Sequence, residues 1–276
     1  MILSVVIITH NEEANIGRTL ASVQPLVADG KGEIIVVDSG STDRTVEIAR
    51  SYGAKVFIEE WKGYAAQKNS AIDKAEGEWI LSLDADEEVD EELQGALRHY
   101  ILGETAQSIR DGIDVYRKSF LATTVTALQI RRKNYFLRRW IKHGGFWPDP
   151  KLRLFRRGYG RFEERAVHET LKADGYTARL KSGAILHHSY PTLADYIDHM
   201  NRYSSLGAEM AVASGRRGFS LFNIVPRPLA TFIYNYFLRL GFLDGREGLL
   251  LHLYHAVYVS WKYAKAWELA RKKVSS

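Results

Sequence analysis

The chain has 276 residues, enough for one well-buried core and a modest appendage. Hydrophobic residues make up 46% of it, which favours a folded protein over a disordered one, and the absence of cysteine excludes disulfides, thiolate metal sites and a cysteine nucleophile. The net charge of +5 is unevenly spread: Arg216 to Ser276 holds 10 Lys/Arg against 3 Asp/Glu, and Arg131 to Arg165 holds 12 against 3. The remainder is acidic, so two basic segments sit on an acidic body and suit an anionic partner: nucleic acid, a membrane surface or a phosphorylated glycolipid. No charged region precedes the first apolar run, so no signal peptide is expected.

Leu3 to Thr9 is an apolar, β-branched run of strand length, and Glu33 to Asp38 is a second. Between them, Asn11 to Gln24 has helical spacing through Ile16, Leu20 and Val23. Thr42 or Asp43 can cap a helix through Val46, Ile48 and Ala49 that stops near Gly53. Lys55 to Ile58 is a short third strand, and Gly63 to Ala75 is a helix ended by Gly77. Trp79 to Asp86 reads as a buried strand closing on two carboxylates, with a helix from about Val89 to Ile101 after it. Strands alternating with helices predict βαβ units and a parallel, doubly wound sheet, which binds ligands beyond the carboxyl ends of its strands. Three of those ends carry polar clusters: Thr9 to Glu13, Asp38 to Asp43, and Asp84-Ala85-Asp86. No Gly-x-Gly-x-x-Gly follows the first strand and no Gly-x-x-x-x-Gly-Lys-Ser/Thr occurs, which counts against dinucleotide and P-loop sites.

Further along the pattern loosens. Gly112 to Phe120 reads as a strand, as do Arg153-Leu154-Phe155 and Ala184 to His187. Arginines and aromatics mix from Arg131 to Phe155, and Pro148 and Pro150 break any element there. Asp195 to Ala213 reads as a helix. Leu229 to Leu238 and Leu249 to Trp261 are apolar and aromatic, flanked by Arg227, Arg239, Arg246, Lys262 and Lys265. Neither reaches the ~18 uninterrupted apolar residues of a spanning helix. Leu250, Leu253, Val257, Trp261 and Ala264 make an i, i+3/i+4 stripe, with His252, His255 and Lys262 elsewhere around the wheel. A basic, aromatic-rich helix of this kind can lie in a membrane interface, or its stripe can pack on the rest of the protein.

The sharpest local signal is Asp84 with Asp86. Residues i and i+2 of an extended chain point the same way, so both carboxylates can face one site. At the carboxyl edge of a parallel sheet they suit Mg²⁺ or Mn²⁺ together with a diphosphate. The plainer alternative is that Asp86 caps a helix starting near Glu87.

The stretches SVVIITHNEEANI (4–16), IIVVDSGSTDRT (34–45), GYAAQKNSAIDKAEGEWILSLDADEE (63–88) and AVHE (166–169) occur together here, with LHHSYPTLADYIDHMNRYS (186–204) and GFLDGREG (241–248). With them the chain resembles the inverting family 2 glycosyltransferases over nearly its whole length. Within that family it is most similar to the lipopolysaccharide-core enzymes that add β-1,4-glucose to the inner-core heptose. The resemblance implies an α/β GT-A fold: a Rossmann-like, mostly parallel mixed sheet flanked by helices over residues 1–214. Residues 215–276 would then be a C-terminal amphipathic helical extension that associates with the membrane.

The resemblance also implies roles. The donor would be a nucleoside-diphosphate sugar, UDP-glucose foremost. Thr9, Asn11 and Glu12 match the loop that packs on the nucleotide, although Asn11 also makes a good helix cap. Asp38 matches the carboxylate that accepts from the uracil N–H, against a simple turn aspartate. Gln67 and Lys68 lie on the helix before the metal strand, with Lys68 at a basic position near the diphosphate, against a solvated helical face. Asp84-Ala85-Asp86 matches the family's Asp-x-Asp in the donor site. Asp86 would hold Mg²⁺ or Mn²⁺, and Asp84 would contact the ribose or reach the metal through water. The Val-His-Glu pattern points to Glu169 as the base that deprotonates the acceptor hydroxyl, with Glu163 and Glu164 as alternatives. His187 either completes the metal shell or is a hydrogen-bonded structural histidine. The basic, aromatic segment 131–147 suits a phosphorylated, lipid-linked glycan acceptor: the lipopolysaccharide core or another surface glycan. The protein would sit peripherally on the cytoplasmic face of the inner membrane. A non-catalytic nucleotide-sugar binder is the alternative class, and nucleic acid is not an expected partner because no recognisable module accompanies the basic segments.

Overall fold

A computed structural model describes residues 1–102, 113–114, 125–163, 169–215 and 218–272. Most of the strand expected over 112–120 lies outside these residues, as do Glu164 and His168. The chain opens with β1 (Leu3–Thr9), α1 (Ile16–Val27), β2 (Gly32–Asp38), α2 (Thr45–Ser51), β3 (Lys55–Ile58), α3 (Tyr64–Asp73) and β4 (Trp79–Asp84). It continues through β5 (Glu87–Val89), α4 (Glu91–Leu102), β6 (Ile113–Asp114), β7 (Val125–Ile130), β8 (Arg132–Phe136) and β9 (Arg139–Trp140). Then come β10 (Lys151–Arg156), β11 (Gly160–Glu163), β12 (Thr170–Ala173), β13 (Tyr176–Leu180) and β14 (Ile185–Tyr190). It closes on α5 (Leu193–Ala213), α6 (Leu221–Ile224), α7 (Pro226–Ile233), a π-helical turn (Tyr234–Leu238), a 3₁₀ turn (Gly241–Asp244) and α8 (Gly245–Lys272). Two compact units result: residues 1–132 with 149–187, and residues 133–148 with 188–276.

The first unit is built on an eight-stranded mixed sheet of order β3-β2-β1-β4-β10-β7-β13-β6. The four strands of the N-terminal half run parallel, as their continuous apolar composition predicts. β10 enters antiparallel to both β4 and β7, and β13 then runs parallel to β7. The pleat sorts side chains between two cores. Val5, Ile7, Ile34, Val36, Leu81 and Leu83 face Leu20 and Val23 of α1 and Leu93 and Leu97 of α4. Val6, Ile35, Val37 and Ile80 face Ala65, Ala71 and Ile72 of α3.

Two helix starts differ from the sequence reading. α1 begins at Ile16 rather than at Asn11, because Asn11 sits at φ +53° and its Oδ1 accepts from Thr42 N at 2.8 Å, tying residues 11–15 to the neighbouring loop. Asp86 caps no helix: Glu87–Val89 pairs with β14, and α4 starts behind Asp90, whose Oδ1 accepts from Leu93 N at 2.9 Å.

In the second unit β8 and β9 form a hairpin, and α5 packs on α8 through Ala208, Ala211 and Val212 against Ala266 and Ala270. A second cluster joins Phe136, Ile141, Tyr196 and Leu251. The buried face of α8 includes His252, which the helical wheel placed away from the apolar stripe. Gly144 and Gly241 leave room for its ring, since a Cβ at either would overlap it. Burial drives the His252 pKa down to about 4, so the ring is neutral. Of the expected stripe, Leu253 is exposed and Leu250, Val257, Trp261 and Ala264 are half-buried. No helix among the described residues is long and apolar enough to cross a membrane.

Gly183 tests the packing of β14 onto α4. It has φ +69°, and a Cβ there would overlap the backbone of Leu93. Gly183→Ala should lower unfolding stability by about 2–4 kcal/mol in urea titration, combining backbone strain with overpacking.

Candidate active site

The parallel register places Thr9 beside Asp38 and Ile8 beside Asp84, so the carboxyl ends of β1, β2 and β4 form one polar edge. Two loops floor it. Asn11 N donates to Ser41 Oγ and Glu12 N donates to Thr45 Oγ1, each at 2.8 Å. The Glu12 carboxylate accepts from Asn15 Nδ2 at 2.8 Å. Burial pushes the Glu12 pKa up against that hydrogen bond, and the negative charges of Asp86, Asp43 and Asp84 push the same way. Asp38 is fully buried, and its carboxylate serves its own turn: Oδ1 accepts from Gly40 N and Ser41 N at 3.0 and 2.8 Å, and Oδ2 accepts from Ser41 Oγ. Asp43 accepts from Thr45 N and Glu13 N, holding the start of α2.

Beside this edge lies a chain of alternating charges. Lys68, buried on the first turns of α3, places Nζ 2.7 Å from Asp84 Oδ1 and 2.7 Å from Glu169 Oε1. The other Asp84 oxygen meets Arg153 Nη2 at 2.7 Å, and the same nitrogen reaches Glu87 Oε1 at 2.7 Å. Glu87, fully buried, also accepts from Asp84 N at 3.0 Å and Arg132 Nη1 at 3.3 Å. Arg132 in turn pairs with Asp149 at 2.9 Å. Burial alone would raise the Asp84 pKa, but Lys68 and Arg153 together hold it well below the ordinary value. The Lys68 and Arg153 pKa values are raised, because nearby carboxylates outweigh the burial that opposes them.

The second carboxylate of Asp-x-Asp has a different partner. Asp86 Oδ2 lies 3.3 Å from His187 Nε2, and the charge and hydrogen bond of His187 hold Asp86 below its usual range although burial opposes this. Ala85 packs in the core, and its carbonyl accepts from Thr19 Oγ1 at 2.7 Å. Glu163 is half-buried at the end of β11 and pairs with Lys172 at 2.5 Å. Among the buried polar groups left without a hydrogen-bond partner, Thr9 Oγ1, Ser39 Oγ and the Gln67 amide belong to β1, to the turn after β2 and to α3. Such groups cost about 1–3 kcal/mol each when left dry and unpaired.

The structure therefore brings Lys68, Asp84 and Glu169 together and sets Asp86 against His187. The sequence reading missed Arg153, Glu87 and Ser39. The signal for Arg153 was a charged residue in the middle of the otherwise apolar Leu152-Arg153-Leu154-Phe155. Glu87 had none, since an acid after Asp-x-Asp reads as the first turn of a helix.

A doubly wound sheet entered by antiparallel strands on one side, with paired aspartates at the end of its fourth strand, defines an α/β protein of the GT-A kind. The chain belongs to glycosyl transferase family 2, whose family model matches residues 4–160. Its relatives include the lipopolysaccharide core biosynthesis glycosyltransferase LpsC of Rhizobium meliloti, 29% identical over 96% of this chain and 92% of that one. An uncharacterized glycosyltransferase of Rickettsia typhi is 31% identical over 98% of this chain and 88% of its own. Among solved structures, the mannosyltransferase PcManGT from Pyrobaculum calidifontis in complex with GDP-Man and Mn²⁺ aligns over 98% of this chain and 86% of that one, at 18% identity and a TM-score of 0.48. S. aureus TarS 1-349 in complex with UDP-GlcNAc aligns over 99% and 92%, at 14% identity and a TM-score of 0.45.

Removing Arg153 should expose the dependence of the charge chain on its cations. Arg153→Leu leaves Asp84 and Glu87 short of a buried partner and should cost about 3–5 kcal/mol. The sign with pH follows from Asp84. Its depressed folded pKa gives stability that is present above the unfolded value of 3.8 and is lost as pH falls toward the folded value. The variant gives up that advantage, so its acid-unfolding midpoint, followed by far-UV circular dichroism, should move to higher pH.

Proposed function

We propose that this chain is an inverting hexosyltransferase that moves glucose from UDP-glucose to a lipid-anchored glycan, most specifically the inner-core heptose of lipopolysaccharide. The observation that carries the reading is Lys68, one buried ammonium shared by the first carboxylate of Asp-x-Asp and by Glu169. A lysine binds phosphate as a point charge. A diphosphate at the Asp84–Asp86 edge would draw Lys68 toward itself and loosen its hold on Glu169. Glu169 would then take the proton of the acceptor hydroxyl as that oxygen bonds to the anomeric carbon and the bond to the UDP oxygen breaks on the opposite face. The products are the inverted glycoside, UDP and a protonated Glu169.

The orphaned hydroxyls of Thr9 and Ser39 and the Gln67 amide support a polar ligand at the same edge. Asp38 would meet the uracil N–H by sharing or releasing the Ser41 hydroxyl. Asp86 and His187 would hold a divalent ion, Mg²⁺ or Mn²⁺, with Asp84 behind them. Among the described residues no third carboxylate or imidazole joins such a set, and two protein ligands suit an ion whose shell is completed by diphosphate oxygens and water. When bound, the ion supplies positive charge to the departing diphosphate. The lipopolysaccharide-core relative supports the acceptor class.

UDP release measured with purified protein, Mg²⁺ or Mn²⁺, a panel of UDP-sugars and heptose-terminated core lipopolysaccharide tests this. UDP-glucose should be the best donor. Asp86→Ala should lower turnover at least 100-fold, and Glu169→Gln should lower transfer by about 10²–10⁴-fold while leaving UDP affinity intact. Absence of UDP binding with either ion sinks the reading, and preference for another sugar or glycan reassigns donor or acceptor.

A further inference from the structure

We propose that residues 219–243 form an in-plane docking surface for an anionic lipid bilayer, framed by the exposed basic side chains of the 133–148 hairpin; its purpose rests on the reading of a lipid-anchored acceptor. The segment has two faces. On one side it is anchored to α8: Ser260 Oγ donates to Ile224 O at 3.0 Å, and at its margin the partly exposed Phe219 ring meets Trp267 at 5.3 Å and the exposed Arg227 lies over Tyr263 at 5.0 Å. Phe232 stacks on Tyr236 at 5.1 Å, and Tyr236 reaches His252. The outer face is apolar and bare. Leu221 and Phe222 are each 65% exposed and Leu238 is 71% exposed, and Val225, Leu229, Ile233, Tyr234, Phe237, Leu240, Phe242 and Leu243 are exposed as well. At roughly 100 Å² for each half-exposed large side chain, this short stretch presents on the order of 1,000 Å² of apolar surface, well above what a soluble monomer normally leaves uncovered.

Charge identifies the occupant. Residues 133–148 and 188–276 hold 15 Lys/Arg against 6 Asp/Glu. Arg138, Arg139, Lys142, Arg227, Arg239 and Arg246 are exposed. The hairpin abuts the apolar segment directly: Gly144 N donates to Arg239 O at 2.9 Å, and Lys142 N donates to Asp244 at 3.1 Å. The acids close by are already engaged, with Asp244 buried against His143 and Glu247 paired with Arg139 at 3.4 Å. A second copy of this chain would set a basic rim against the same basic rim, whereas anionic headgroups complement it. An apolar wedge with basic flanks is the pattern that sinks into the headgroup–acyl boundary. The long helix supplies little of the wedge. Its buried side is spent on α5, and only Leu249 and Leu253 near its start are exposed large apolar residues.

Sedimentation of the full chain with phosphatidylcholine vesicles, with and without phosphatidylglycerol, tests the surface. Wild type should partition onto the phosphatidylglycerol vesicles, and less so at high salt. The double variant Leu229→Glu, Leu238→Glu should lose binding at least tenfold, with both positions exposed and so tolerant in the fold. Arg138→Gln with Lys142→Gln should lose about tenfold on anionic vesicles alone. UDP affinity is measured in parallel: its absence in wild type defeats the transferase reading and leaves vesicle binding to stand or fall separately. The docking surface is overturned if wild type binds UDP but no vesicles, if the leucine variant binds vesicles as wild type does, or if light scattering shows a dimer that the leucine variant dissolves while vesicle binding is absent.

Discussion

The polar edge at the ends of β1, β2 and β4 depends on one carboxylate held between two cations. Asp84 can stay ionised in a largely buried position only because Lys68 takes one oxygen and Arg153 the other. A charge removed from water without partners is expensive, and a paired one roughly breaks even, so this lattice contributes position more than stability. It also constrains topology. Arg153 reaches Asp84 because β10 lies antiparallel beside β4, with Leu154 opposite Leu81. The switch from parallel to antiparallel strands therefore delivers a cation to the end of the strand that needs one, and β5 delivers the buried Glu87 that balances it.

The same lattice sets what the edge accepts. Burial, reinforced by the negative charges of Asp86, Asp43 and Asp84, pushes Glu12 up, while Asp86 needs His187 to stay low against its own burial. Lys68 and Arg153 are already engaged with carboxylates. A diphosphate arriving alone would meet more negative charge than positive. It becomes acceptable when it brings a divalent ion and when Lys68 turns toward it. Under the proposed function, donor binding, ion binding and the freedom of Glu169 would form one coupled event.

The parallel half of the fold was legible in the sequence because β1, β2 and β4 are largely apolar runs ending in polar clusters. Lys55 to Ile58 was read to the residue, and the aspartates fell where the sheet edge places them. The later strands were less legible for a physical reason: β10, β11 and β13 carry arginines and alternate irregularly, and their pairing is set by partners distant in sequence. Helix starts failed where side chains bond across loops, as when Asn11 spends its amide oxygen on Thr42. Arg153 offered only its charge inside an apolar run and Glu87 offered nothing, because their meaning lies in a pairing 66 residues apart. Asp86 as a helix cap was a sound local reading overturned by Asp90, four residues on, where a short strand intervenes.

The C-terminal half shows what a hydrophobic stripe can and cannot say. Spacing at i, i+3/i+4 identifies an amphipathic helix but not which neighbour covers it. In α8 the buried residues that cluster with α5 are the alanines Ala266 and Ala270, whose small size permits close helix approach and whose low hydrophobicity hides them from a stripe search. His252 joins that buried face because glycines of two other segments vacate its space. The large apolar side chains gather instead in the preceding turns, whose broken helical geometry has no single period to detect. A surface assembled from a four-residue helix, a proline-started helix, a π turn and a 3₁₀ turn becomes visible only when the chain is folded. Its irregularity is what spreads leucines and phenylalanines outward while Phe232, Tyr236 and Pro228 hold it down.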